Sequence, residues 1–406
     1  MIKDLSKILF TLILILLTTS CTKNVEVKKK GEKPKEYSIS LFEYGSLLEA
    51  RNMKDQLSGI IMDGLVIQKV NQNKYRLLLG EFESSYEAGK KAFNLLKNQI
   101  IDNFNVVHNK KIVTDSYNNI IFISKYFGRN SLYRFNLFNK KFENIWTKPL
   151  HSVLTVNRNS LQDVYFFTTG RKTGMREGFP FIEDAKVWLI SPETDDPQIA
   201  AEFGECSQLY SFWENKDTFK VNISNPDTLN ASVIVQYIHS FDIRGKSHLT
   251  NKRSYNLVKE GFPLPPLKRF QLLSPNNQYE IEINKNGEIN LKDYNFRSVQ
   301  NIYNTDKPIK DLIWSDDGNY LITLLETRLN SSEVSSEIIV FEAASRKIIS
   351  THRGQEVKNM IVQGDLIFYD EIEAGVSSIV IYDYIKNELF SRIELSGGCS
   401  LNNLPY

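Results

Sequence analysis

The chain has 406 residues, 41% hydrophobic and 24% charged. That is the make-up of folded domains, with material for two or three of them. A formal net charge of +2 gives no global electrostatic case for nucleic-acid binding, and three cysteines are sparse for so long a chain.

Residues 1–21 read as an export signal. Lys3 and Lys7 form a positive start, and residues 8–17 are an apolar core of ten residues. Crossing a hydrocarbon layer of about 30 Å takes ~20 apolar residues, so this core is too short to be a span. Thr18, Thr19 and Ser20 then lead to Cys21. The run resembles a bacterial lipobox, with its leucine four rather than three positions before the cysteine. That resemblance implies diacylation of the Cys21 thiol, cleavage before it and acylation of the new amine, an anchor held by ~0.8 kcal/mol per buried methylene. The alternative is a plain signal peptide with a chance cysteine. Residues 22–35 carry Lys23, Lys28, Lys29, Lys30, Lys33 and Lys35 and almost nothing apolar, the composition of a solvated tether. Thr22 is not the aspartate associated with inner-membrane retention in enteric bacteria, which points to the outer membrane.

Residues 36–111 predict strand, helix, strand, strand, helix, strand. Strands are expected at 37–44, 64–70 and 75–82. Helical patterns follow through Ala50 to Leu57 and from Ala88 to Asn98. The two halves share one design: an alternating strand, an aromatic residue, a six-residue step to alanine, an amphipathic helix. Alternation places Ile39 and Leu41 on one face with Leu77 and Leu79, for the helices to cover. Ser40, Phe42, Arg76 and Leu78 are expected on the opposite, open face. The fold class is an α+β split βαβ sandwich, often a binding platform.

Tyr75-Arg76-Leu77-Leu78-Leu79-Gly80-Glu81-Phe82 followed by Ala88, and Ile39 to Tyr44 followed by Ala50, resemble the SPOR domain, a septal peptidoglycan-binding module of bacteria. The resemblance covers about a fifth of the chain. It implies binding of glycan strands stripped of their stem peptides. Arg76 would make the contact, with Ser40 and Tyr44 nearby, sugar rings stacked on Phe42, and Leu78 on the same face. Ser40 stands where the family has glutamine, Phe42 where it has glycine, and Leu78 where it has a polar residue. The alternative is that Phe42 and Leu78 pack against another domain.

From residue 112 to 406 long helical periodicity disappears. Short β runs alternate with turns in six groups of four strands, each roughly 40 to 50 residues, the spacing of propeller blades. The groups begin near 120, 152, 208, 270, 309 and 357. Room for a seventh remains between 169 and 186 or between 239 and 267. Ile313-Trp314-Ser315-Asp316-Asp317-Gly318-Asn319-Tyr320-Leu321 resembles the turn of TolB-type propellers. Leu273-Ser274-Pro275-Asn276-Asn277-Gln278-Tyr279 is a weaker copy with Asn277 at the glycine position. The runner-up architecture is a pair of β-sandwiches.

No catalytic constellation is legible. His108, His151, His239, His248 and His352 are scattered, without zinc-site spacing. There is no nucleophile elbow, P-loop or dinucleotide fingerprint. The pairs Asp195–Asp196 and Asp316–Asp317 read as turn formers. No catalytic residue, metal ligand or cofactor is predicted. Two long insertions, 170–184 and the basic 240–253, are the candidate partner-binding loops. Cys206 and Cys399 are either a pair or two buried thiols. The expectation is a non-enzymatic lipoprotein of the periplasmic side of the envelope, binding peptidoglycan through residues 36–111 and an envelope protein through the propeller. The alternatives are a protein-interaction scaffold without glycan binding and a propeller hydrolase or lyase acting on envelope polymers.

Overall fold

The computed structural model describes residues 36–61, 64–113, 117–126, 128–159, 164–176, 179–191, 196–215, 217–230, 232–261, 271–284, 286–328 and 333–402. Cys21, the export signal, the tether and Asp195 lie outside the described residues.

The N-terminal module is built from β1 (Tyr37–Tyr44), α1 (Leu47–Ser58), β2 (Leu65–Asn71), β3 (Lys74–Phe82), α2 (Ser85–Lys97), β4 (Asn105–His108) and β5 (Lys111–Val113). Its sheet runs β2-β3-β1-β4-β5. The first four strands follow the split βαβ order, and β5 adds a hairpin to the edge. Both helices start three residues before the alanines that mark them in the sequence. The Ser46 and Ser84 hydroxyls accept from Glu49 N at 3.2 Å and Glu87 N at 3.1 Å, satisfying amides that the first turn leaves without partners. Ala50, Ala88 and Ala92 are fully buried, Ala88 and Ala92 in one core with Ile39, Leu77 and Leu79. Side chains this small let the helix backbones approach the sheet closely.

One irregularity changes the faces of β1. Ser40 pairs with Leu78, but Phe42 pairs with Leu77, so Leu41 is an extra residue in a bulge. A one-residue slip moves every later side chain to the other face. Phe42 and Tyr44 therefore join Leu77 and Tyr75 on the helix-covered side, packed against the core. Glu43 takes the place beside Arg76 that alternation had given to its neighbours.

The rest of the described chain forms six antiparallel sheets. Sheet 1 holds β6 (Asn119–Ser124), β7 (Ser131–Asn136), β8 (Phe142–Trp146) and the C-terminal β28 (Cys399–Ser400), which pairs with β6. Sheet 2 holds β9 (Ser152–Asn159), β10 (Val164–Arg176), β11 (Phe179–Ile190) and β12 (Gln198–Cys206). Sheet 3 holds β13 (Gln208–Asn215), β14 (Thr218–Pro226), β15 (Val233–Phe241) and β16 (Ser247–Asn256), followed by the short α3 (Leu257–Glu260). Sheet 4 is the three-stranded β17 (Tyr279–Ile283), β18 (Glu288–Asp293) and β19 (Ser298–Asn304), with an isolated bridge from Leu273 to Glu280. Sheet 5 holds β20 (Ile309–Trp314), β21 (Tyr320–Arg328), β22 (Val334–Glu342) and β23 (Lys347–Gln355). Sheet 6 holds β24 (Asn359–Gln363), β25 (Leu366–Glu373), β26 (Val376–Asp383) and β27 (Glu388–Glu394).

Five neighbouring pairs of sheets bury faces against one another among the described residues. Phe166 of sheet 2 stacks on Phe219 of sheet 3 with centroids 4.5 Å apart. Trp314 of sheet 5 stacks on Tyr279 of sheet 4, and Ile322 and Val340 meet Ile367 and Val380 between sheets 5 and 6. Sheet 6 in turn shares a core with sheet 1, where Phe368, Ile379 and Ile381 meet Phe122, Tyr133 and Phe135. The two insertions expected as loops are regular structure. Residues 170–176 and 179–184 continue β10 and β11 as a paired ribbon past the last β9 partner, Gly170, and residues 247–253 belong to β16.

Candidate binding face

Of the five residues expected to contact glycan, the structure brings three together. Ser40 and Leu78 lie in one cross-strand row with Val66, and Arg76 lies in the next row with Glu43 and Gln68. Phe42 and Tyr44 are turned to the helix side, so Phe42 is not a platform on that face. The Tyr44 hydroxyl is buried with no hydrogen-bond partner among the described residues. Arg76 is engaged rather than presented. Its Nε and Nη2 donate to Glu43 Oε1 at 3.1 and 2.6 Å, and Nη1 donates to the Lys110 carbonyl at 3.4 Å. Those bonds, with Lys74, hold the Glu43 carboxyl below its ordinary value. Ser40 is buried, Leu78 half-buried and Val66 59% exposed.

The module docks on the sheets through α2, a contact that sequence reasoning missed. Ala88, Ala92 and Leu95 face its own sheet, while Tyr86, Gly89, Phe93 and Lys97 form a second stripe at steps of three and four residues. Phe93 packs 5.5 Å from Tyr117 and 6.2 Å from Phe390. The Gly89 carbonyl accepts from Asn118 Nδ2 at 3.4 Å. Lys97 Nζ lies 2.9 Å from Asp383 and 3.3 Å from Asp365. Burial lowers the Lys97 pKa, but the two carboxylates outweigh it and the net shift is upward. The Tyr86 hydroxyl donates to Asp316 Oδ2, which also accepts from Gly364 N at 3.1 Å. Burial and the Asp316 charge push the phenol well above its ordinary range, so it stays protonated as the donor. Burying each of these two aromatic rings stabilises docking by about 1.5–3 kcal/mol.

Asp316 is positioned by a turn that sheets 4 and 5 share. Tyr320 N donates to Ser315 Oγ at 2.9 Å and Tyr279 N to Ser274 Oγ at 2.9 Å. Gly318 has φ +72° and Asn277, at its equivalent, φ +57°. Asparagine tolerates the left-handed region, so the weaker sequence copy builds the same turn. Asp317 is the turn former, accepting from Ser315 Oγ at 2.6 Å and Asn319 N at 3.0 Å. Asp316 is released to face inward. Beside it, where β9, β13, β20 and β24 end, lies an open cavity of about 450 Å³. Its wall includes Arg158, Trp213, Glu214, Asn215, Gln271 and Asp316. The Arg158 guanidinium sits 5.5 Å from the Tyr86 ring centroid and donates to Gln363. Tyr86 is thus wedged between two wall residues of the cavity.

No protein-family model matches the sequence, and no curated protein matches it. Among solved structures, TolB from Acinetobacter baumannii overlaps with a TM-score of 0.40 at 10% identity, over 82% of this chain and 76% of that one. A chain of a nidogen/laminin complex overlaps with a TM-score of 0.36 at 9% identity, over 70% and 97% respectively. A eukaryotic initiation factor overlaps at 0.34 and 11% identity, over 73% and 94%. Six antiparallel sheets, five neighbouring pairs of which share a buried core among the described residues and the last of which packs against the first, decide the architecture. The larger part of this chain is a β-propeller. Its two described cysteines are free and buried, Cys206 in β12 and Cys399 in β28, and burial pushes both thiols up to about 12. Among the described residues no three metal-type side chains converge, and no helix is long and apolar enough to cross a membrane.

Proposed function

We propose that this chain is a non-enzymatic, lipid-anchored binding protein of the bacterial cell envelope. Cys21 carries the anchor, which holds the chain on the periplasmic face of the outer membrane. The propeller presents a surface to an envelope protein. The observation that carries the propeller role is the β10–β11 ribbon, which continues past β9 and leaves Met175 69% exposed. A rigid two-stranded projection keeps its shape on binding and loses little entropy there. A photo-cross-linking residue in place of Met175, in intact cells, tests the reading. It should yield a discrete adduct that the same residue in place of Ala374, on the β25–β26 turn, does not. Equal adducts from both positions, or none from either, would remove the ribbon from the interface. Cys21→Ser should shift the protein from the membrane fraction to the soluble envelope fraction.

The second reading is the SPOR-like one, in which the sheet of the module binds denuded peptidoglycan glycans. What favours it is that docking uses α2 and leaves Val66 exposed and Leu78 half-buried on the other side of the sheet. Its contact row would be Ser40, Leu78 and Val66, with Arg76 held by Glu43. Co-sedimentation with sacculi, before and after amidase stripping, tests it. Binding should rise on stripping and fall in Arg76→Ala; no binding to either preparation would leave the interaction-scaffold reading alone.

A further inference from the structure

The cavity beside Tyr86 is unassigned by either reading. Its volume, about 450 Å³, falls within the range of roughly 300–1,000 Å³ typical of small-molecule sites. Its charged side chains already hold hydrogen-bond or ion-pair partners. Arg158 donates to Gln363, Asp316 accepts from Tyr86 and Gly364, and Glu214 pairs with Lys220. A charged ligand would have to compete with these existing bonds for its partner.

The neutral part of the wall is different. Among the described residues, Asn215 uses its carbonyl oxygen to accept from Asp217 N at 2.9 Å, and Gln271 uses its oxygen to accept from Trp314 N at 3.5 Å. Both side chains are exposed, and both keep amide hydrogens for an incoming acceptor. Trp213, half-buried against Phe166 and Phe219, adds an aromatic wall, and aliphatic side chains of β20 and β24 add apolar surface. The matching ligand is uncharged, rich in hydroxyl groups that both donate and accept, and apolar on its C–H faces.

We propose that this cavity is a binding site for a neutral saccharide, separate from the sheet face that carries Arg76. Asn215 and Gln271 donate to sugar oxygens, and Trp213 packs on the ring. Tyr86 of the docked module lies behind this wall, bonded to Asp316 and beside Arg158.

The test is titration calorimetry on the full chain in detergent, with chitotriose and cellotriose as neutral probes. Trilysine and trigalacturonate serve as charged comparators. A neutral trisaccharide should bind saturably, and an Asn215→Ala/Gln271→Ala variant should lose about tenfold in affinity, the equivalent of two hydrogen bonds. Arg76→Ala should bind as the unaltered protein does, which separates this site from the sheet face. A second measurement is the tryptophan emission shift on titration, which Trp213→Phe should abolish. Absence of binding by the neutral probes, tighter binding of either charged probe, or undiminished affinity in the double variant would each overturn the proposal. Loss of binding in Arg76→Ala would move the saccharide to the sheet.

Discussion

The ring closes on one carboxylate, and removing it should open the C-terminal end. Asp370 of β25 is buried between sheet 6 and the closing strand β28. Its Oδ2 accepts from Ser400 Oγ at 2.8 Å, Leu401 N at 3.2 Å and Asn359 Nδ2 at 2.8 Å, and its Oδ1 accepts from Asn359 N at 2.5 Å. In Asp370→Ala the hydroxyl and the amide side chain can turn elsewhere, but the two backbone N–H groups cannot. Each buried donor left without a partner costs about 1–3 kcal/mol. Against this, burial raises the Asp370 pKa despite its hydrogen bonds, so ionised Asp370 carries a desolvation cost that the variant removes. A net loss of about 2–4 kcal/mol is expected, a large share of a typical stability of about 5–15 kcal/mol. Freed from β28, β6 would present a buried apolar strand, Asn-Ile-Ile-Phe-Ile-Ser, as an open edge prone to association. Urea unfolding with amide exchange at Leu401 is the assay. A stability change below about 1 kcal/mol, or unchanged protection at Leu401, would refute the clasp.

Three further outcomes follow from the contacts. Phe93→Ala and Lys97→Ala should each loosen the module, the first through a lost core ring at up to about 3–5 kcal/mol, the second by leaving the buried Asp383 without its cation; limited proteolysis between residues 98 and 118 should accelerate. Gly318→Ala should cost more than about 1 kcal/mol, because φ is +72° and the new Cβ would stand 2.7 Å from the Asn276 side chain; differential scanning calorimetry should show a lower melting temperature, and Asn276→Ala should restore only part of it. Asp184 gives a pH dependence: burial works to raise its pKa, but hydrogen bonds from His151, Lys186 and Lys148 outweigh it and bring it to about 2. A depressed folded pKa means that its stabilisation is present above the unfolded value of 3.8 and is lost as pH falls through about 2. Asp184 is 40% exposed, so solvent screening keeps the effect below about 1 kcal/mol; acid unfolding of Asp184→Asn should be flatter over that window.

Much of the architecture was legible because its signals are local. Strand alternation, the Ala50 and Ala88 steps and the Asp317-Gly318 turn each depend on a few neighbouring residues, and each leads to the observed element. The candidate sheet face was only half legible. Alternation from Ile39 correctly places Ser40, but no local pattern announces that Leu41 will be bulged, since the slip is fixed by pairing with β3 across the sheet. The insertions at 170–184 and 240–253 looked like loops because their polar and glycine residues mask strands that pairing stabilises.

By itself the sequence determined the β-rich repeat, the α/β module and the turns, all governed by backbone periodicity and steric preference within short segments. Tertiary structure alone decided which side of β1 Phe42 and Tyr44 occupy, what the second stripe of α2 meets, and that Asp316 leaves its turn to hold Tyr86. It also decided that two residues from the far end, Cys399 and Ser400, close the first sheet. These are contacts between groups tens to hundreds of residues apart, and their energy comes from burial and pairing that exist only once the chain is folded.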